Sequence, residues 1–213
     1  MPGTTDIPDG ELLERWRRGD SAAGELLFDR YYRCIDRFFL NKVGAASADL
    51  VQETFAACVE GRDRISDPAL FRSYVFGIAY KVYFRYLRKK SSRVEPEVTC
   101  VSEVVPTPRT VVVRRGEQRL LLEALRDIPI NFQVTLELHY WEQLSTREIA
   151  DALGSPPATA RSRLQRARDA LSAAMARHAR SGQELHSTLT TLDDWAARCR
   201  EALTPHRTGE PSR

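Results

Sequence analysis

Between Leu144 and Arg168 the chain reads LSTREIADALGSPPATARSRLQRAR, two helical periods interrupted by Gly154-Ser155-Pro156-Pro157. A glycine followed by two prolines cannot continue one helix, because proline lacks the backbone donor and its ring clashes with the preceding turn. The stretch is therefore constrained to two short helices meeting at an angle. Ser145 and Glu148 stand in the Ser-x-x-Glu spacing that caps a helix start reciprocally, and Gly154 suits the end of that helix. Ser155 is expected to cap the next helix, with Pro156 in its first turn. Within it Ala160, Leu164, Ala167 and Leu171 recur at steps of four, three and four, which turns them inward. Arg161, Ser162, Gln165 and Arg166 are left on the outer face, with Thr159 just before them. The pattern predicts a helix-turn-helix whose second helix enters a DNA major groove. There arginine bonds guanine bidentately and glutamine does so with adenine. The plain alternative is a helical hairpin with a solvated arginine face.

Helical periodicity also fills Glu11 to Lys90, with no alternating Val/Ile/Thr run to compete. Leu26, Leu27, Tyr31, Ile35, Phe38 and Phe39 make one expected buried face; Val51, Phe55, Cys58 and Val59 make a second; Phe71, Val75, Ile78, Ala79 and Val82 make a third. Pro96, Pro106 and Pro108 then exclude a helix interior, so this part reads as a linker or extended arm. Its Thr110-Val113 run is a candidate strand without a partner. Helical periodicity resumes at Gln118. The expected fold is all-α: a helical module over 11–92, a linker over 93–116, a helix-turn-helix module over 117–180 and a C-terminal extension over 181–213.

The net charge of +3 is small, so charge is informative through clustering. Arg85, Arg88, Lys89, Lys90 and Arg93 form one basic group, and Arg161, Arg163, Arg166 and Arg168 another. The four cysteines are far apart and lack zinc spacing, which reads as reduced thiols. Without a signal-like or membrane-length apolar run, a soluble cytoplasmic protein with no membrane insertion is expected. Neither a glycine-rich phosphate loop, a metal-ligand cluster nor a nucleophile with a base is present, so no catalytic residues, metal or cofactor are assigned.

Two further surfaces discriminate among DNA-binding proteins. Asp49, Gln52 and Glu53 lie opposite Val51, Phe55 and Cys58, an acidic face beside an apolar seam. It suits a protein partner with basic residues, or equally a solvated helix face. In FRSYVFGIAYKVYFRYLRKK, Phe76, Tyr80, Tyr83 and Phe84 fall outside the core stripe and interleave with Arg72, Lys81, Arg85, Arg88 and Lys89. Unpaired bases stack on such aromatics while cations hold the backbone, unless a neighbouring helix covers the rings instead.

Residues 125–171 resemble region 4 of the extracytoplasmic function (ECF) sigma factors, small members of the sigma-70 family. The matching positions include Pro129, Tyr140, Leu144, Ser145, Glu148, Ile149, Ala150, Leu153, Gly154, Thr159, Arg161, Ser162, Arg163, Leu164, Arg166, Ala167 and Arg168. Asp49-Leu50-Val51-Gln52-Glu53-Thr54-Phe55 is similar to the family's region 2.2, and the aromatic-basic segment to regions 2.3 and 2.4. The likeness covers residues 11 to about 178. It departs where Ser155, Pro157 and Ala160 replace larger apolar residues, where Ala48 replaces an acid, and at Tyr74, Lys81 and Arg85.

The resemblance implies a sigma factor that binds core RNA polymerase and directs initiation at particular promoters. It assigns Asp49, Gln52, Glu53 and Phe55 to polymerase, through the beta-prime clamp helices, with the beta subunit a second contact. Thr159, Arg161, Ser162, Gln165 and Arg166 are assigned to minus-35 duplex DNA. Arg72, Tyr74, Phe76, Tyr80, Lys81, Tyr83, Arg85 and Arg88 are assigned to the minus-10 strand, with the loop over 60–70 pocketing a flipped base. Glu95, Glu97 and Glu103 of the linker would imitate RNA charge. An anti-sigma factor is a further candidate partner, and a stand-alone helix-turn-helix regulator is the alternative function. In the extension, Leu192, Trp195, Ala196, Cys199 and Leu203 form one apolar helical face, which either packs on the chain itself or meets a regulator or second copy. His186 and Cys199 are too distant to make a metal signal.

Overall fold

The computed structural model describes residues 7–108 and 117–178. Among them are eight α-helices: α1 (Asp9–Arg17), α2 (Ser21–Val43), α3 (Ser47–Gly61), α4 (Phe71–Lys90), α5 (Glu117–Arg126), α6 (Ile130–Tyr140), α7 (Thr146–Leu153) and α8 (Pro157–His178). The only β pairing among the described residues is an isolated bridge between Cys100 and Pro129. The fold is all-α. The Thr110-Val113 run and the apolar face from Leu192 to Leu203 lie outside the described residues.

Each boundary has a local cause. α1 carries Asp9 and Glu11 in its first turn and Arg15 and Arg17 in its last, the arrangement that complements a helix dipole. The Asp20 carboxylate accepts from the Ala23 backbone N–H and starts α2. Gly154 ends α7 at φ 60°, ψ 40°, a left-handed cap that glycine adopts without steric strain.

The first four helices pack through Leu12, Leu13, Leu27, Ile35, Phe39, Val51, Cys58, Phe71, Val75 and Val82, all buried. Burial pushes the Cys58 thiol up to about 12, which keeps it in the unreactive protonated form. Val59 departs from the expected stripe: it is 42% exposed, because one step past Cys58 turns it off the α3 face that meets α4.

The proline-containing segment is pinned rather than loose. Val94, Val101 and Val105 are buried. Its carbonyls at Pro96 and Thr99 accept from the N–H groups of Asn131 and Ile130 at the start of α6, at 2.9 and 3.0 Å. Proline excludes a long helix here, yet the valines between prolines still have apolar surface to bury.

One buried cluster runs continuously from Leu12 through Val94 and Val105 to Val134, Leu138, Ile149, Ala152 and Ala160. Helices before and after the proline-containing segment thus share a core. A second cluster, with Leu121, Leu125, Leu136, Tyr140, Leu164, Ala167 and Leu171, joins α5, α6 and α8.

The capping box of α7 is formed: the Glu148 N–H donates to Ser145 Oγ at 3.2 Å, and the Ser145 N–H donates to Glu148 Oε2 at 2.8 Å. Ser145→Ala is expected to destabilise the protein by about 1 kcal/mol, the usual worth of such a cap. Urea unfolding followed by circular dichroism measures it; an unchanged midpoint would show that the box contributes nothing.

Candidate nucleic-acid interface

The helix-turn-helix is built by α7 and α8. Ala160, Leu164, Ala167 and Leu171 of α8 are buried, as their spacing predicts, and in α7 the buried residues are Ile149, Ala150 and Ala152, with Leu153 half-buried. The second helix starts one residue later than expected, with Pro157 rather than Pro156 at its first position. Ser155 does not cap it: its hydroxyl is buried without a hydrogen-bond partner. Because the helix begins at Pro157, the capping position falls on Pro156 and Ser155 lies one residue too early.

Arg161, Ser162, Gln165 and Arg166 are all exposed on one side of α8, with Thr159 half-buried beside them. Their hydrogen bonds are light and local, and the Arg166 guanidinium also lies 5.9 Å from the Phe132 ring of α6. Ser162 Oγ donates to the Thr159 carbonyl at 3.1 Å, Gln165 Nε2 donates to Asp169 at 3.4 Å, and Arg166 Nε donates to the Ser162 carbonyl at 3.4 Å. Such long contacts are readily exchanged for a base edge or phosphate. Arg168 behaves differently: its Nε donates to the Tyr140 hydroxyl at 2.7 Å, which ties α8 to α6. The side chains that fit base readout and the one that fixes the helix angle are thus separate residues.

On α4 the sequence expectation divides. Lys81, Arg85 and Arg88 are exposed, and Arg72, Tyr74, Tyr80 and Phe84 are half-buried. Phe76 and Tyr83 are buried at 1% and 0% exposure, which corrects their placement outside the core stripe. Both point into the α2 side: Phe76 lies 6.5 Å from Phe38 and from Tyr31, and Tyr83 lies 6.1 Å from Phe38, ring centre to ring centre. They are core aromatics, because α4 is covered along a wider arc than its own stripe foretells. Tyr80 and Phe84 remain as a stacked pair, 6.3 Å apart with planes 9° from parallel. Arg88 sits 5.4 Å from the Phe84 ring, so a cation and two rings line this edge together.

On α3, Asp49 and Gln52 are exposed, and Glu53 and Phe55 partly so. Glu53 pairs with Arg85 of α4, which links the acidic face to the basic helix. Phe55 stacks near-parallel with Tyr32 of α2, itself 52% exposed, at 6.4 Å. An aromatic patch therefore adjoins the acidic residues, and Tyr32 is a residue the linear pattern had not marked.

The structure also brings together charges that periodicity alone did not single out. Arg37 of α2 donates to the Glu142 carboxylate, at 2.6 Å from Nη2 and 3.2 Å from Nε. Lys42 of α2 is buried and pairs with Glu137 of α6. Arg126 of α5 is buried too, donating to the Lys42 carbonyl at 3.0 Å and to the Val105 carbonyl. Their signal was present: Lys42 and Glu137 each interrupt an apolar run, where a charge survives only if paired.

Among the described residues no helix is long and apolar enough to cross a membrane, and no cluster of three or more His, Cys, Asp or Glu is placed to hold a metal.

Comparison with known proteins agrees with this geometry. The family described as Sigma-70, region 4 matches residues 118–171, from the start of α5 to mid-α8. The ECF RNA polymerase sigma-E factor of Haemophilus influenzae is 25% identical over 175 residues, covering 76% of this chain and 93% of that relative. The proteins of the same name from Escherichia coli K12 and Salmonella typhimurium LT2 are each 25% identical over 177 residues, covering 78% of this chain and 93% of the relative. Three quarters of the chain is more than the part after the proline-containing segment can supply, so the likeness runs into α1–α4 as well. On its helix-turn-helix and on a likeness that spans three quarters of its length, the chain is similar to the extracytoplasmic function factors of the sigma-70 family.

Proposed function

We propose a division of labour in which α8 reads minus-35 duplex DNA, α4 captures the minus-10 strand and the α3 face docks on core RNA polymerase. The protein is an alternative sigma factor that directs promoter-specific transcription. A sigma factor performs no bond chemistry of its own: it supplies binding energy and holds DNA strands while polymerase makes the transcript. The observation that carries the reading of α8 is the exposed edge of Arg161, Ser162, Gln165 and Arg166 on the second helix of a capped helix-turn-helix. Arg and Gln at one helical step match guanine and adenine edges in the major groove.

For α4, the support is the Tyr80/Phe84 stack flanked by Lys81, Arg85 and Arg88. Aromatic faces bind unpaired bases, and cations bind the phosphates between them. For α3, the support is an acidic edge at Asp49 and Gln52 beside the Phe55/Tyr32 aromatic patch, a combination suited to a basic protein surface such as the polymerase beta-prime clamp helices. Contacts to the beta subunit and to an anti-sigma factor, and a cytoplasmic location, belong to the same reading. The stand-alone regulator is disfavoured, since the likeness to sigma factors extends beyond the helix-turn-helix.

Reconstitution tests the whole: purified protein with sigma-free core polymerase and a promoter library should give transcripts from a restricted set of templates. Transcript start sites indistinguishable from those of core polymerase alone would defeat it.

A further inference from the structure

The loop between α3 and α4 is laid on α1. Two short 3-10 turns, Arg62–Arg64 and Pro68–Leu70, build it, with Ile65 buried between them. Arg17, the last residue of α1, reaches across to the first turn. Its Nε and Nη2 donate to the Arg62 carbonyl at 3.1 and 2.8 Å, and Nη2 also donates to the Ile65 carbonyl. Glu14, one turn earlier on α1, accepts from Nη1 at 2.7 Å and so aims the guanidinium. The Arg62 guanidinium in turn lies 5.1 Å from the Trp16 ring of α1. At the other end of α1, a Cβ added to Gly10 would stand 3.5 Å from the Pro68 backbone, so the second turn rests on this helix too.

Arg17 holds the loop by its backbone, and the side chains of Asp63, Arg64 and Ser66 are left exposed on the outside. Asp67 is engaged locally, accepting from the Ala69 N–H at 2.9 Å. A carboxylate, a guanidinium and a hydroxyl on one bend supply acceptors and donors of the kind that read base edges. The planar guanidinium fork fixes two carbonyls at once, which a lysine ammonium does not reproduce. The bend also adjoins the strand-binding helix. A Cβ added to Gly61 would fall 1.9 Å from the Tyr74 hydroxyl, so Tyr74 of α4 lies across the residue from which the loop springs.

We infer that Arg17 is a positioning residue for base selection: it sets the shape of the 62–67 bend so that Asp63, Arg64 and Ser66 meet one unstacked base of the minus-10 strand beside Tyr74. This rests on the assignment of α4, with the loop before it, to that strand. The donors of Arg17 face the loop's carbonyls, so it acts through the bend and not on DNA. A bend of fixed shape discriminates because a wrong base leaves its polar groups unpaired, whereas a loosened bend adjusts to any base. Lys81 and Arg88 hold phosphates independently of the bend. Loss of Arg17 should therefore blur selection without weakening strand capture.

The test uses holoenzyme reconstituted from the full-length chain and sigma-free core polymerase, on templates randomised across the minus-10 segment, with the transcribed templates sequenced. Hydrogen exchange of the full-length chain reports the amides of 62–70. Wild type should show a preference at one base that Arg17→Ala lowers at least about fivefold, with total transcript yield from the pool unchanged. Arg17→Lys, which keeps the charge and loses the fork, should fall between the two, and it carries the comparison if Arg17→Ala does not fold. Exchange in the Arg17 variants should quicken over 62–70 and stay as in wild type through α2 and α3. The triple change Asp63→Ala, Arg64→Ala and Ser66→Ala should erase the preference at the same base with protection over 62–70 kept. Unchanged protection in the Arg17 variants would show that the clamp does not hold the bend, and quickened exchange with the wild-type preference would show that the bend does not select. Either overturns the inference, as does an equal loss of yield on every template or a triple change that acts at a different base. Failure of the underlying reading looks different: wild-type holoenzyme without any minus-10 preference, or output untouched by Lys81→Ala with Arg88→Ala, removes α4 from the strand and the role of Arg17 with it.

Discussion

Asp49→Arg is expected to abolish promoter-dependent transcription while leaving the fold and duplex DNA binding intact. Asp49 is exposed in the first turn of α3, so its loss removes only a favourable helix-dipole charge, worth roughly 0.3–1 kcal/mol. Against a basic docking surface the new arginine creates a like-charge contact, which costs several kcal/mol and lowers polymerase affinity by roughly a hundredfold or more. The substitution is cleaner alone than combined with Glu53→Arg. Glu53 is already paired with Arg85, so its reversal would disturb α4 as well as the docking face. Pull-down of core polymerase by tagged protein, with thermal unfolding as control, decides the matter. Undiminished polymerase binding by folded Asp49→Arg would remove α3 from the interface.

The second large effect concerns α8. Replacing Arg161, Ser162, Gln165 and Arg166 together by alanine should eliminate specific minus-35 binding. Each good bidentate base contact contributes about 1–3 kcal/mol of discrimination. Arg166→Ala alone should then weaken binding by roughly 5- to 150-fold and relax preference at one base pair. Alanine is the best helix former, and all four side chains are exposed, so α8 should remain helical. A phosphate-contacting arginine would behave otherwise, weakening all sequences alike and flattening the salt dependence. Selection of duplex DNA from a randomised pool, followed by titration at two salt concentrations, distinguishes these outcomes. Wild-type affinity and preference in the quadruple variant would reject α8 as the reading helix.

Much of the architecture was legible from local sequence because its causes are local. The break at Gly154 and the prolines, the Ser145–Glu148 box and the four-three-four spacing of Ala160, Leu164, Ala167 and Leu171 all act within a few residues of one another. They define α7 and α8, the buried side of α8 and hence its outward arginines, whatever the rest of the chain does. The family likeness was legible for the same reason, since its densest motif lies in this segment. Ser155 is the local exception: a capping residue by type, it lies one residue ahead of the capping position because the helix begins at Pro157.

What tertiary structure alone decided is which faces meet across distance. Periodicity marks an apolar stripe but not how wide an arc its neighbours cover, so Phe76 and Tyr83 passed as surface aromatics until α2 enclosed them. Prolines mark the end of a helix but not whether the following valines find a core, and Val94, Val101 and Val105 do. Lys42 and Glu137, ninety-five positions apart in the sequence, are each an anomaly in an apolar run until the fold pairs them. Helix, cap and turn arise from contacts within one or two turns, which a linear pattern records. The closure of α7 over α4 arises from pairing between residues that share no local period, and only the folded chain brings them together.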